Sequence, residues 1–401
     1  MKLNNGSKAD KIYLGEKIFY FALCLKCLIY VWQYSEISNI FTMSFTLFNA
    51  VVIFFLLFSI YLSRYSINLL FFIASTTVGV IVYYFTKDTT IMILFLSISA
   101  SSCTNYWRIL RFILKLSVII LFGIILLNKV GILPNTLYYT GDGKIRNSLG
   151  FLGFGQISFL TFYSVICYSL LRGNNFNYKD LLIGGAISIA GYSVTRDNTT
   201  LLLIVAIILL SWITKFKKIK IIKIIKKIIQ IFAVVAFPLF FILMFILSYL
   251  FDYSKRSWID LNNSLFHGRL FLTHEALKNF PAKFWGQNIP QIGLFDINKS
   301  VWGESSYFYI DSSYFRILLM YGSVCLVFIA IIFICLAAKA YKKLEVNVSI
   351  VIIIISIYGI MSPYMYQVGF NPIFLILFAQ GPLTPLKIGK KVDIIEMRKN
   401  F

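Results

Sequence analysis

Charge is what this 401-residue chain has least of. Asp, Glu, Lys and Arg make up 13% of it, and 16 residues are acidic. That leaves too few polar side chains to clothe a water-soluble domain. Histidine occurs twice, as His267 and His274. Neither has the clustered partners a zinc ion needs, so no metal is expected. The six cysteines (Cys24, Cys27, Cys103, Cys167, Cys325 and Cys335) all lie in or beside apolar runs, and no disulfide is expected. Cys24-x-x-Cys27 reads as two small polarizable residues on a membrane helix rather than a redox pair. No small-residue cleavage site follows the basic segment MKLNNGSKADKIYLGEK and its apolar run. A retained first helix is therefore expected, not a removed signal peptide.

What the chain has instead is apolar length: 59% hydrophobic residues, 17% aromatic ones and a mean hydropathy of +0.80. A helix needs about 20 apolar residues to cross a bilayer core. On that measure spans are expected at 18–34, 45–62, 67–85, 89–104, 109–127, 149–171, 181–194, 198–214, 228–250, 313–338, 348–364 and 367–380. The expected fold class is an all-α polytopic membrane protein of about 12 transmembrane helices. It forms a single integral membrane domain over 1–401, with a large loop at 251–312 and a basic tail at 381–401.

The net charge of +22 is placed, not spread. Lysines crowd the N-terminus, KFKKIKIIKIIKK at 215–227, KAYKK at 339–343 and the tail. With twelve spans these segments share one side, as the positive-inside rule requires of the cytoplasm. Both termini are then cytoplasmic and the protein sits in a cell membrane. Attraction to anionic lipids accounts for the lysines, and no nucleic-acid partner is expected. The opposite side receives most of the acidic residues and the long loop. Long loops are commonly functional, so chemistry is expected there.

Arginine is scarce beside lysine, and on the loop side Arg146, Arg196 and Arg269 stand out. The planar guanidinium grips phosphate oxygens in pairs and keeps its charge when partly desolvated, so three such forks point to an anion. Each has a plainer reading as well: Arg146 snorkelling to headgroups, Arg196 paired with Asp197 at a hairpin tip, Arg269 solvated on a loop helix. The helices flanking Arg196 read as short, which would hold the tip in a recess, where charge faces a polar cavity or a partner. Gly150, Gly153 and Gly155 lie within one and a half helical turns at the start of the span 149–171, either for close helix approach or for room beside the backbone, with Asn147 and Gln156 as hydrogen-bonding neighbours.

The long loop holds a candidate amphipathic helix over 268–280, ended by Pro281 and expected on the membrane surface. Leu270, Phe271, Leu277 and Phe280 form its apolar side, and Arg269, Thr273 and Glu275 its polar side. Trp258 before it and Trp285, Trp302, Tyr307 and Tyr309 after it serve either to stack on sugars or to sit in the interfacial belt. Asp311 directly precedes a span, where apolar surroundings would raise its pKa and suit it to be a general base; a helix cap is the other reading. Glu304 and His274 are further base candidates.

Taken in order, R-x-S-L-G-F opening a central span, T-R-x-x-T between two spans, G-R…A-L…W-G in the loop and D-S-S-Y…Y-G opening the next span resemble the O-antigen polymerase and ligase superfamily. The closest likeness is to Wzy-type capsular or exopolysaccharide repeat-unit polymerases, over about 144–322. The resemblance implies a GT-C-like glycosyltransferase using polyprenyl-diphosphate-linked oligosaccharides outside the cytoplasmic membrane, with no cofactor. Arg146, Arg196 and Arg269 would hold the donor diphosphate, and Trp285, Trp302 and Tyr307 the sugars. A chain-length regulator and a flippase of the same pathway are the implied protein partners. Ligases of the superfamily carry histidine where this chain has Asp311, which favours a polymerase over a ligase; a flippase for lipid-linked sugars is the alternative outside the enzymes.

Overall fold

The computed structural model describes residues 4–40, 44–64, 66–139, 145–216, 220–293 and 308–381. Its longer helices are α1 (Asn4–Tyr34), α2 (Phe45–Leu62), α3 (Leu69–Thr86), α4 (Thr90–Ala100), α5 (Tyr106–Lys129), α6 (Gly155–Arg172), α7 (Tyr178–Thr195), α8 (Asn198–Ile213), α9 (Lys220–Tyr249), α10 (Arg256–Ser264), α11 (Arg269–Asn279), α12 (Ser323–Lys342) and α13 (Val346–Met361). Five of them, α2, α3, α5, α9 and α12, are long and apolar enough to cross a membrane, and α4, α8 and α13 are shorter apolar helices. The fold is therefore helical and membrane-type. It adds one element not expected from sequence, a hairpin of β1 (Leu137–Tyr139) and β2 (Ile145–Asn147) that pairs Tyr138 with Arg146.

The helices sort by what they face. α2, α3, α5 and α9 expose large apolar side chains such as Phe54, Leu70, Ile119 and Ile242, the surface that acyl chains would cover. α6 is central: Phe159, Phe162 and Tyr163 are fully buried, and Phe162 stacks on Tyr358 of α13 with ring centres 4.1 Å apart. α6 also buries Gln156, Ser158, Thr161 and Ser169. Polar groups are tolerable there because protein, not lipid, surrounds them.

Three expected spans take other forms. The run 313–338 is broken: Arg316–Tyr321 is π-helical, Gly322 turns at φ +94, and α12 starts at Ser323. At that break Gly322 packs back to back with Gly286 of the loop, and a Cβ on either would run into the other strand's backbone. Gln287 N–H donates to Met320 O at 2.9 Å and Ser323 N–H to Lys283 O at 3.1 Å, so the loop is fastened to the turn.

The run 367–380 is not a transmembrane helix but a buried irregular segment with one short 3-10 stretch, Ile373–Leu377. Pro372 and the asparagine before it break the helical ladder. The freed carbonyls find donors within the protein: Lys339 Nζ reaches Ile376 O and Leu377 O at 2.7 and 2.9 Å, and Ser101 Oγ reaches Leu375 O at 3.1 Å. Non-helical backbone at such depth is viable only when it is satisfied in this way.

The run 149–171 becomes helical only at Gly155, because Leu149 (φ +45) and Gly150 (φ +89) turn the chain before it. At the opposite end the lysine run is not all loop, since α9 already begins at Lys220.

Candidate functional site

Asp311 stands where the long loop meets the broken span, in a firmly held stretch of chain. The three residues after it are bolted to α13: Ser312 Oγ to Gly359 O at 3.2 Å, Ser313 Oγ to Ser362 O, and Tyr314 OH to Ser356 O at 2.8 Å. Asp311 caps nothing; Ser312 occupies the cap position of the short turn that follows, so the helix-cap reading falls away.

Asp311 Oδ2 instead lies 3.8 Å from Nε of Arg269, the first residue of α11. That helix starts where His267 (φ +48) and Gly268 (φ +87) turn the chain, and Asn262 Oδ1 accepts from Phe271 N–H at 3.0 Å. The loop arginine and the pre-span carboxylate, 42 positions apart in number (311 less 269), thus meet as an ion pair. Burial pushes the Asp311 carboxyl above the ordinary aspartate value, while Arg269 and Arg316 pull the other way.

Arg316, which sequence reasoning missed, is 7% exposed and reaches the same place from the π-helical turn. Such turns recur at functional sites because they re-aim side chains out of the helical register. Gln291 Oε1 accepts from Arg316 Nη2 at 3.0 Å and from Ile310 N–H at 2.9 Å, and the guanidinium lies 4.5 Å over the Tyr309 ring. Arg316 Nε is buried with no partner. On its other side opens a cavity of about 260 Å³ whose charged walls are Lys26, Lys87, Asp88 and Arg316. The signal was present in sequence as an arginine inside an apolar run, SSYFRILLMYG, where charge is costly and marks a site.

Neither Arg146 nor Arg196 touches the pair. α7 packs against β2, which carries Arg146, and both Asp197 and Arg269 lie within electrostatic reach of the Tyr358 hydroxyl. Arg146 lies 4.5 Å over the Phe154 ring, and its buried Nε has no hydrogen-bond partner. Arg196 is exposed, closes α7 in the left-handed conformation at φ +52 and lies 5.7 Å over Tyr192.

Two expectations about this tip are corrected. Asp197 does not hold the arginine fork: its carboxylate caps α8, accepting from Thr200 N–H at 3.2 Å and Thr200 Oγ1 at 2.6 Å. Nor do two short helices sink the tip into a recess, since α7 runs 18 residues and Arg196 is exposed. The glycines divide: Gly150 packs closely on Ile124 and Asn128, whereas a Cβ at Gly153 or Gly155 would meet nothing within 4 Å. Gln156 accepts from Tyr30 OH and donates to Tyr364 OH at 2.8 Å. Asn147 accepts from Asn135 at 3.1 Å.

His274 has a structural task in place of one beside Asp311. Its Nδ1 lies 2.9 Å from Ser248 O at the end of α9, with the ring against Phe251 and Tyr253. The helix predicted over 268–280 forms, but its buried face is Leu270, Thr273 and Ala276, and Thr273 bonds Ser248 at 2.7 Å. Thr273, expected on the polar side, faces inward because α9 offers it a hydroxyl partner, while Phe271 is exposed. Trp285 lines an open groove of about 490 Å³ with Phe85, Phe284, Lys283, Gln287 and Asn288. Aromatic faces beside amides and an ammonium group suit a sugar ring. Glu304, Trp302 and Tyr307 lie outside the described residues. The chain matches no protein-family profile, no curated protein and no solved structure.

Proposed function

We propose that the chain is a membrane glycosyltransferase that polymerises polyprenyl-diphosphate-linked oligosaccharide repeat units into a surface polysaccharide on the outer face of the cytoplasmic membrane. The observation that carries this reading is the Arg269–Asp311 pair, which joins the long loop to the start of the next membrane segment. In the proposed step the acceptor sugar's hydroxyl gives its proton to the Asp311 carboxylate. Its oxygen forms the new glycosidic bond at the donor's C1, and the C1–O bond to the diphosphate breaks. The lipid diphosphate leaves with the electron pair, its charge held by arginine donors. Arg269 stands beside the base, and Arg146 and Arg196 are at the same end, free of carboxylate partners among the described residues. The Trp285 groove supplies an aromatic and amide surface for the sugar portion.

The test is Arg196→Ala in cells. Arg196 is exposed and makes one cation–π contact, worth about 0.5–1 kcal/mol, so the variant is expected to fold. Single lipid-linked repeats and no polymer are expected from it; polymer of normal length would sink the assignment. A second reading, a carrier moving the same lipid-linked sugars across the membrane, is favoured by the charges lining the 260 Å³ cavity. A ligase, by contrast, would leave long lipid-linked polymer in the deletion strain.

A further inference from the structure

The cavity beside Arg316 has a charge problem that the arginines of the loop do not solve. Two of its cations are buried, Lys26 at 8% exposure and Arg316 at 7%. Among the described residues Lys26 Nζ donates to the Asn49 amide at 3.2 Å, and Arg316 donates to the Gln291 amide at 3.0 Å beside the neutral Tyr366 hydroxyl, with its Nε unpartnered. Lys87 adds a third positive charge at the rim. Among the described lining residues Asp88 is the one carboxylate, within electrostatic reach of Lys26, and its oxygens are held by neutral donors: Oδ2 by Tyr321 OH at 2.6 Å, Oδ1 by Thr90 N–H and Oγ1 at 2.9 and 2.7 Å; it offsets one of the three positive charges. Buried cations without counter-charge are strongly unfavourable, and amide acceptors do not neutralise them. A cavity of about 260 Å³ lined by three cations and one carboxylate keeps a net charge of +2, three less one, which an anion would complete.

We infer that this cavity is a second phosphate site, which takes the diphosphate head of a lipid-linked substrate between Arg316 and Lys26. A diphosphate spreads its charge over two phosphoryl groups, so it can meet a planar guanidinium with one and an ammonium with the other. The groove of Trp285 adjoins this place: Phe85 walls the groove, and Lys87 and Asp88, two and three residues on, wall the cavity. A sugar attached to the bound diphosphate would have the groove within reach. The inference rests on the glycosyltransferase reading for the identity of the lipid, since joining two lipid-linked units requires two diphosphates, but the anion site itself does not.

Calorimetric titration of the full chain in nanodiscs tests it, with inorganic diphosphate in one arm and undecaprenyl diphosphate in the other. Binding in both arms is expected to persist in the Arg196→Ala, Arg269→Ala double variant, which weakens the first diphosphate grip, and in that background to weaken about tenfold or more on adding Arg316→Gln or Lys26→Met. Lys26→Met lies on a different helix from Arg316 and decides the matter if Arg316→Gln fails to fold. Binding of the inorganic ion but not the lipid would overturn the lipid headgroup as the source. Binding unchanged on adding Lys26→Met to that background, or absent from the double variant itself, would overturn the site. If the site holds while a deletion strain makes normal polymer, the polymerase reading fails and the anion site stands.

Discussion

Asp311 is the residue on which the proposed chemistry turns, and its surroundings set a pH dependence. Burial raises its pKa above the ordinary 3.8, so the carboxylate form needed to accept a proton is lost at a higher pH than for a solvated aspartate. Activity is expected to be present above that raised value and to fall as pH drops through it. Polymerisation rates measured against pH should show this acidic limb, and Asp311→Asn should abolish activity at every pH; an active Asp311→Asn would remove the carboxylate from the mechanism. The aspartate and the loop arginine were legible in sequence because each stands at a boundary, one before a span and one opening a helix. Arg316 carried a signal too, a costly charge inside an apolar run, but what it faces became readable only once the chain is seen to turn at Gly322 and bring the loop beside it. Asp197 shows the converse: adjacency in sequence suggested an ion pair with Arg196, whereas the left-handed turn leaves the carboxylate beside the first N–H groups of α8, where capping is stronger and local.

At the scale of elements, the loop and the broken span are held together by Gly286 and Gly322. Gly322 sits at φ +94 and Gly286 at φ +86, and neither has space for a side chain. Replacing either by alanine combines left-handed strain with overpacking, roughly 2–4 kcal/mol of destabilisation. The half-life of Gly322→Ala in detergent at a fixed warm temperature should fall well below that of wild type, and an unchanged half-life would mean the contact is loose. A second element-scale effect lies at the opposite end. Glu345, between α12 and α13, has its pKa raised by burial to about 7 from an ordinary 4.5, against a pull from Lys343. The folded state therefore prefers the protonated acid. Its stabilising contribution is complete below pH 4.5 and is lost as pH rises through about 7. Glu345→Gln should flatten the thermal-stability profile across that window, and a profile of unchanged slope would clear Glu345 of the effect. Most helices were legible because apolar length is a strong signal; 45–62 was bounded to the residue. The last expected span was not, because a buried segment of the protein interior is as apolar as a lipid-facing helix, and only its donors (Lys339, Ser101) reveal that its backbone is irregular.

For the whole molecule, the arrangement is a helical membrane body whose one end holds a loop, an ion pair, a cationic cavity and an aromatic groove. Composition made the membrane class plain, and the order of short motifs suggested the glycosyltransferase reading. Motif order alone did not reveal that the two glycine-ended motifs touch, or that charge enters the body at Lys26, Asp88 and Arg316. That interior charge is what keeps a carrier in contention with a polymerase. The two differ in where substrate stalls when the protein is missing. Lipid-linked glycans extracted from a deletion strain, with each leaflet's share read by an impermeant sugar-modifying reagent, separate them most directly. The polymerase account predicts single repeat units accumulating on the outer leaflet with no polymer; single units confined to the inner leaflet, or polymer of normal length, would contradict it.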